Sequence, residues 1–215
     1  MQALTANKRA MLWIIAIDLA LTISSTVVDW PWLIRVPPLL RPFAPICSLY
    51  PLLLTIWFTL TWFHKKIPTW FTAFIFMGIV SYGIMAWIYF PLYMSWSGIN
   101  FHDVGSIFWV SLYAIQAIIL APHLKKMPLL HYALIFGYFL FKDYADRYLG
   151  TFLDILLDSY PENLKFIFSV SIVTLHLAAA SLVVYLSRHP RLIQSISTNP
   201  TYHPRQTLPE RHVAP

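Results

Sequence analysis

"PLLHYALIFGYFLFKDYADRYLG", residues 128–150, decides how this chain is read. The run up to Phe141 is almost wholly apolar, and then Lys142, Asp143, Asp146 and Arg147 follow within six residues. The uninterrupted apolar part is too short for a bilayer, which needs about 20 residues of helix. The segment crosses only if the charged motif is helical as well and lies partly within the membrane. On a helix Lys142 and Asp146 are four apart, as are Asp143 and Arg147, so each pair can meet side by side. At about 100° per residue the four side chains fall within an arc of roughly 140°. They define one face, and their charges cancel. A lone ion at mid-membrane costs about 2.5–3.5 kcal/mol on insertion scales, and internal pairing lowers that cost. Counted from Pro128, Asp143 lies about 22 Å along the helix, towards its far boundary.

The rest of the chain makes a membrane reading necessary. Only 11% of residues are charged against 58% hydrophobic, whereas a soluble domain carries about 25% charged residues. Too few polar groups remain to cover a water-facing surface, so apolar side chains must face lipid. The formal charge of +6 does not indicate nucleic acid, because the bases sit in pairs at the ends of apolar runs. The one cysteine, Cys47, excludes an internal disulfide and a thiolate metal cluster within one chain.

Six apolar stretches are legible, near residues 10–29, 44–63, 70–90, 104–121, 128–148 and 164–187. The expected fold is all-α: a polytopic membrane bundle of about six transmembrane helices over residues 10–187. A short N-terminus (1–9) and a flexible, proline-rich tail (188–215) flank it. Six spans put Lys8, Arg9, Lys65, Lys66, Lys125, Lys126, Arg188 and the tail arginines on one side. Arg35, Arg41, Lys165 and most acids fall on the other. The positive-inside rule then predicts cytoplasmic termini and a multi-pass protein of the cell (inner or plasma) membrane. The first segment reads as an uncleaved anchor, since it is long, contains Asp18 and lacks a clear cleavage site.

Two polar constellations stand out. The first is Lys142, Asp143, Asp146 and Arg147, with Tyr144 and Tyr148 between them, and Asp29, His102 and Asp103 on the same side of the membrane. Either they line an outward-facing polar cavity, or the charges meet headgroups at the interface with the tyrosines as belt aromatics. The second is deeper: Asp18, His176 and Gln116. An Asp18–His176 pair there could carry a proton or hold a polar ligand, but interhelical packing glue is the simpler role. Gly78, Ser81 and Gly83 suit close helix approach, with Tyr82 and Trp87 open to a ligand only if a cavity exists. Residues 91–102 are expected to form an aromatic outer loop.

Three patches resemble the YpjA-like family of uncharacterised bacterial integral membrane proteins: "RPFAPICS" (41–48), "SYGIMAW" (81–87) and "KDYADRYLG" (142–150). His102 resembles a histidine of that family. The likeness covers residues 12–187. Ile46, Ser81 and Arg147 depart from it, standing where the family tends to have an acid, a base and a tyrosine. The resemblance implies a membrane helical bundle and no particular activity, and it singles out Asp143 and Asp146.

No phosphate-binding glycine loop, nucleophile elbow or zinc-binding His-Glu motif is present. No metal, cofactor or nucleic-acid partner is expected. The expected partners are the lipid bilayer, other membrane proteins or a small apolar ligand. The leading expectation is a bundle that handles a small ligand, lipid or ion at a polar site in its outer half. One alternative is an accessory or assembly subunit of a larger membrane complex. The other is a membrane enzyme acting on a lipid or isoprenoid through Asp143 and Asp146. An enclosed cavity favours a ligand site or an enzyme, and a flat apolar face favours the accessory role.

Overall fold

A computed structural model describes residues 7–44, 48–99, 101–149, 151 and 161–189, and only the backbone of Trp32, His102 and Asp103. The described residues are helical throughout, without a strand. Helix α1 spans Lys8–Leu33, α2 Leu49–Trp62, α3 Thr69–Ser97, α4 Phe101–Ile115, α5 Ala117–Leu120, α6 Leu129–Tyr148 and α7 Glu162–Arg188. Short 3₁₀ segments cover Pro38–Phe43 and Ala121–His123.

Local chemistry sets the boundaries. The Asn7 side chain accepts the Arg9 and Ala10 amides at the start of α1, which satisfies two of the donors that a helix leaves unpaired. Helices α3, α6 and α7 each follow a proline, Pro68, Pro128 and Pro161, with φ of −60°, −56° and −55°. The ring holds the chain extended up to the first helical residue. Helix α2 closes with a Schellman pair: Lys65 N–H donates to Leu60 O and His64 N–H to Thr61 O. His64 holds φ at +53°, in the left-handed position that glycine usually fills.

Four helical segments, Lys8–Pro31, Thr69–Ser97, Val104–His123 and Glu162–Arg188, are long and apolar enough to cross a membrane. Large side chains such as Trp13, Val27, Trp87 and Phe166 are exposed on them, as expected where lipid is the solvent. The other two expected spans differ. Helix α2 has 14 residues, about 21 Å, short of the hydrocarbon thickness. Helix α6 has 20 residues, about 30 Å, but carries the four charges.

Helix α3 is the hub. It touches α2, α4, α5, α6 and α7, while α1 packs on α2 and α7 on α6. Its apolar window is 61% buried, against 22–28% for the other three long apolar helices. Small residues make the close contacts. The Tyr50 ring of α2 lies directly on Gly78, and Gly83 meets Ala114 of α4. Trp57 donates to Thr72 across α2 and α3 at 3.0 Å.

One expectation is corrected. Residues 91–97 are not loop. Helix α3 continues through Pro91 to Ser97, since a proline is tolerated inside a membrane helix. The fourth apolar stretch is helical over Val104–His123, with Gln116 in helical φ/ψ at a tightened turn between α4 and α5.

Candidate functional site

Helix α6 buries Ile135, Phe139, Lys142, Asp143 and Asp146, a stripe at helical spacing. Leu134, Phe141, Tyr144 and Tyr148 are exposed on its other side. Three charged groups therefore face protein beside Ile135 and Phe139, while large apolar and aromatic side chains face outward. Lys142, Asp143 and Asp146 are thus interior to the bundle, and Tyr144 and Tyr148 are exposed.

The pairings are more specific than spacing on one helix indicated. Lys142 Nζ donates to Asp146 Oδ2 at 2.6 Å, and Thr151 Oγ1 donates to Asp146 Oδ1 at 2.5 Å. Both Asp146 oxygens are thus occupied. The same ammonium lies 4.9 Å from the Tyr82 ring centroid on α3, within cation–π range. Asp143 does not pair with Arg147. Its Oδ2 lies 2.7 Å from His176 Nδ1 on α7, and the imidazole is packed against Phe139 and Tyr82. Arg147 reaches Glu162 at 3.6 Å instead, and Glu162 also holds Lys165 at 3.0 Å.

Helices α6 and α7 run antiparallel, joined at one end by Tyr132 and Ser187 at 2.7 Å. Asp143 stands about 21 Å along α6 from Leu129, and His176 about 18 Å back along α7 from Arg188. These lengths place the two at one depth, so the bond closes without bending either helix.

The second constellation also resolves differently from the Asp18–His176 pair considered above. Gln116 Nε2 donates to Asp18 Oδ1 at 2.8 Å, from the junction of α4 and α5. Asp18 and His176 thus take separate partners.

Among the described residues several buried polar atoms have no partner: Asp143 Oδ1, His176 Nε2 and the hydroxyls of Tyr50 and Tyr82, together with Asp18 Oδ2 and Gln116 Oε1. If His176 Nδ1 donates to Asp143, Nε2 is left with an unused lone pair or proton. Such groups are uncommon enough to need a reason.

Next to the first cluster is a cavity of about 360 Å³ between α3, α4, α6 and α7, in the size range of small-molecule sites, about 300–1,000 Å³. Asp143, Asp146 and Arg147 contribute its charged wall. Tyr82, Tyr89, Phe90, Tyr113, Tyr148 and Phe168 supply much of the remainder.

Asp29 lies on α1 and is not on the cavity wall, and the side chains of His102 and Asp103 lie outside the described residues. Trp87 is turned away, donating to Ser111 at 3.0 Å, whereas Tyr82 belongs to the site. Among the described residues no three His, Cys, Asp or Glu side chains are grouped to hold a metal. Thr151 and Glu162 were not anticipated. Thr151 folds back over the end of α6, its N–H donating to Ala145 O at 3.4 Å. Set against protein-family models, curated proteins and solved structures, the chain matches none.

Proposed function

We propose that this chain is a six-pass protein of the cell membrane, with both termini cytoplasmic, that binds a small lipophilic molecule between α3, α4, α6 and α7. The cavity carries this reading: apolar and aromatic walls, one charged side, and a half-open shape between four helices. A lipophile would enter from the bilayer, and the charged side would orient it. The accessory-subunit alternative anticipated a flat face and is less well supported.

Filling the cavity tests the binding. Val173 lines it and is half-buried on α7. Val173→Trp is expected to lower uptake of a fluorescent lipophile by the purified protein at least about tenfold, the scale of a blocked apolar pocket. Normal membrane accumulation should accompany the loss, and unchanged uptake would refute the site.

Six passes draw support from the basic-residue asymmetry and from the inward turn of the α6 charges, which leaves an apolar outer face on a helix of about 30 Å. An epitope placed within residues 190–215 should be reached by antibody only after cells are permeabilised, and labelling of intact cells would reverse the topology. Membership of the YpjA-like family is likewise proposed. The described parts of its three patches converge on α6: Pro42 O accepts from Tyr138, Phe43 packs on Phe141, and Tyr82 covers Lys142.

A second reading has one observation of its own. The Asp143–His176 contact leaves His176 Nε2 and Asp143 Oδ1 without partners among the described residues, and Asp143 is on the cavity wall, where a carboxyl oriented by an imidazole would act as the acid–base group. Turnover of an added lipid, abolished by His176→Gln with binding retained, would favour an enzyme.

A further inference from the structure

We propose that the molecule held in this cavity carries a protonated amine, and that its ammonium donates to Asp143. This rests on the cavity being a ligand site and names the chemistry of the ligand.

The assignment of donors to acceptors at the site leads there. Asp146 has both oxygens engaged, by Lys142 and Thr151. Glu162 has both engaged, by Lys165 and Arg147. The three cations at the site are thereby committed to those two acids. Asp143 differs: among the described residues Oδ2 meets an imidazole, and Oδ1 is buried without a partner. The residue is 8% exposed and lines the cavity. A carboxylate with a free oxygen in an apolar setting is incomplete until a donor reaches it.

An alcohol or amide would supply the hydrogen bond without countering the charge, whereas an ammonium supplies both. The walls favour the same class. Rings of Tyr82, Tyr89, Phe90, Tyr113 and Phe168 face the cavity, and aromatic faces attract organic cations within about 6 Å. Lys142 already sits over Tyr82 in this way. Arg147 is the charge on the wall that opposes a cation, and it is drawn towards Glu162, at the exposed first turn of α7. The opposing charge is therefore partnered by Glu162, and the acceptor without a donor belongs to Asp143, on the same cavity wall.

The test uses the full chain in phosphatidylcholine nanodiscs, with empty nanodiscs as the partition control. Dodecylamine, dodecyltrimethylammonium and dodecanol compete against a fluorescent lipophile. The amine is expected to bind about tenfold or more tighter than the alcohol, the scale of one charge-assisted hydrogen bond. The quaternary ion, with no N–H, should fall between them. Asp143→Asn should bring amine and alcohol within about twofold of each other while alcohol binding is kept. Equal competition by amine and alcohol in the unaltered protein overturns the amine assignment and leaves the cavity reading standing. Competition by none of the three overturns both. If Asp143→Asn does not accumulate, the unaltered protein still decides, because a quaternary ion that binds as tightly as the primary amine refutes the bond to Asp143.

Discussion

Lys142→Met should destabilise the bundle by about 3–5 kcal/mol, the scale of breaking a buried ion pair from one side. The ammonium is 1% exposed and its partner Asp146 6%, so neither is rescued by water. Removing it leaves Asp146 Oδ2 facing the former position of Nζ, with only Thr151 on the other oxygen. It also removes the cation from the Tyr82 ring. The expected observation is a large drop in thermal midpoint in detergent and poor accumulation in membranes. Lys142→Met combined with Asp146→Leu should recover most of the loss, because replacing a whole buried pair with apolar side chains is often neutral or favourable. A single variant as stable as the parent, or a double variant worse than the single, would show that the pair is not buried as described.

Gly83→Val should have the next largest effect. A Cβ at position 83 would stand 2.3 Å from the Ala114 Cβ, while carbon atoms pack at about 3.5–4.0 Å. Ala114 has no rotamer by which to withdraw, so α3 and α4 must separate. Overpacking of this kind costs about 1–3 kcal/mol. Because the cavity lies between the same helices, lipophile binding should weaken too. Gly83→Ala paired with Ala114→Gly should restore both stability and binding. Gly105→Ala and Gly137→Ala are controls, since a Cβ at either meets nothing within 4 Å, and thermal midpoints close to the parent are expected. A Gly83→Val protein that melts with the controls would mean that the two helices do not approach as closely as Gly83 and Ala114 indicate.

The α6 motif shows what is legible in a sequence of this kind. Spacing alone placed Lys142, Asp143 and Asp146 on one face and paired Lys142 with Asp146, because both relations are local to a helix. It could not find His176 for Asp143. Along one helix Arg147 is the obvious partner, but its long side chain can reach outward to Glu162, whereas the short carboxylate must take the nearest buried donor. That donor comes from a helix whose packing only the tertiary structure reveals. Gln116 is similar: an amide in an apolar run reads as a tolerated polar residue, and its bond to Asp18 on α1 appears only in the tertiary structure. The stretch from Pro91 reads as a loop, but a proline is tolerated inside a membrane helix, and α3 runs on to Ser97. Hydropathy identified the long apolar helices readily, but it does not register that α2 is only 14 residues long, because apolar residues before a helix score as well as those within it.

The bond between Asp143 and His176 joins residues 33 positions apart, and this has a consequence for synthesis. As the ribosome elongates, Lys142 and Asp146 can neutralise each other once the last turns of α6 exist. Asp143 then has only Arg147, one turn on, because its imidazole and Glu162 have not yet been translated. The arrival of α7 therefore exchanges partners: Asp143 turns to His176 and Arg147 to Glu162. A chain truncated between codons 150 and 162 should hold both pairs within α6 and still insert it.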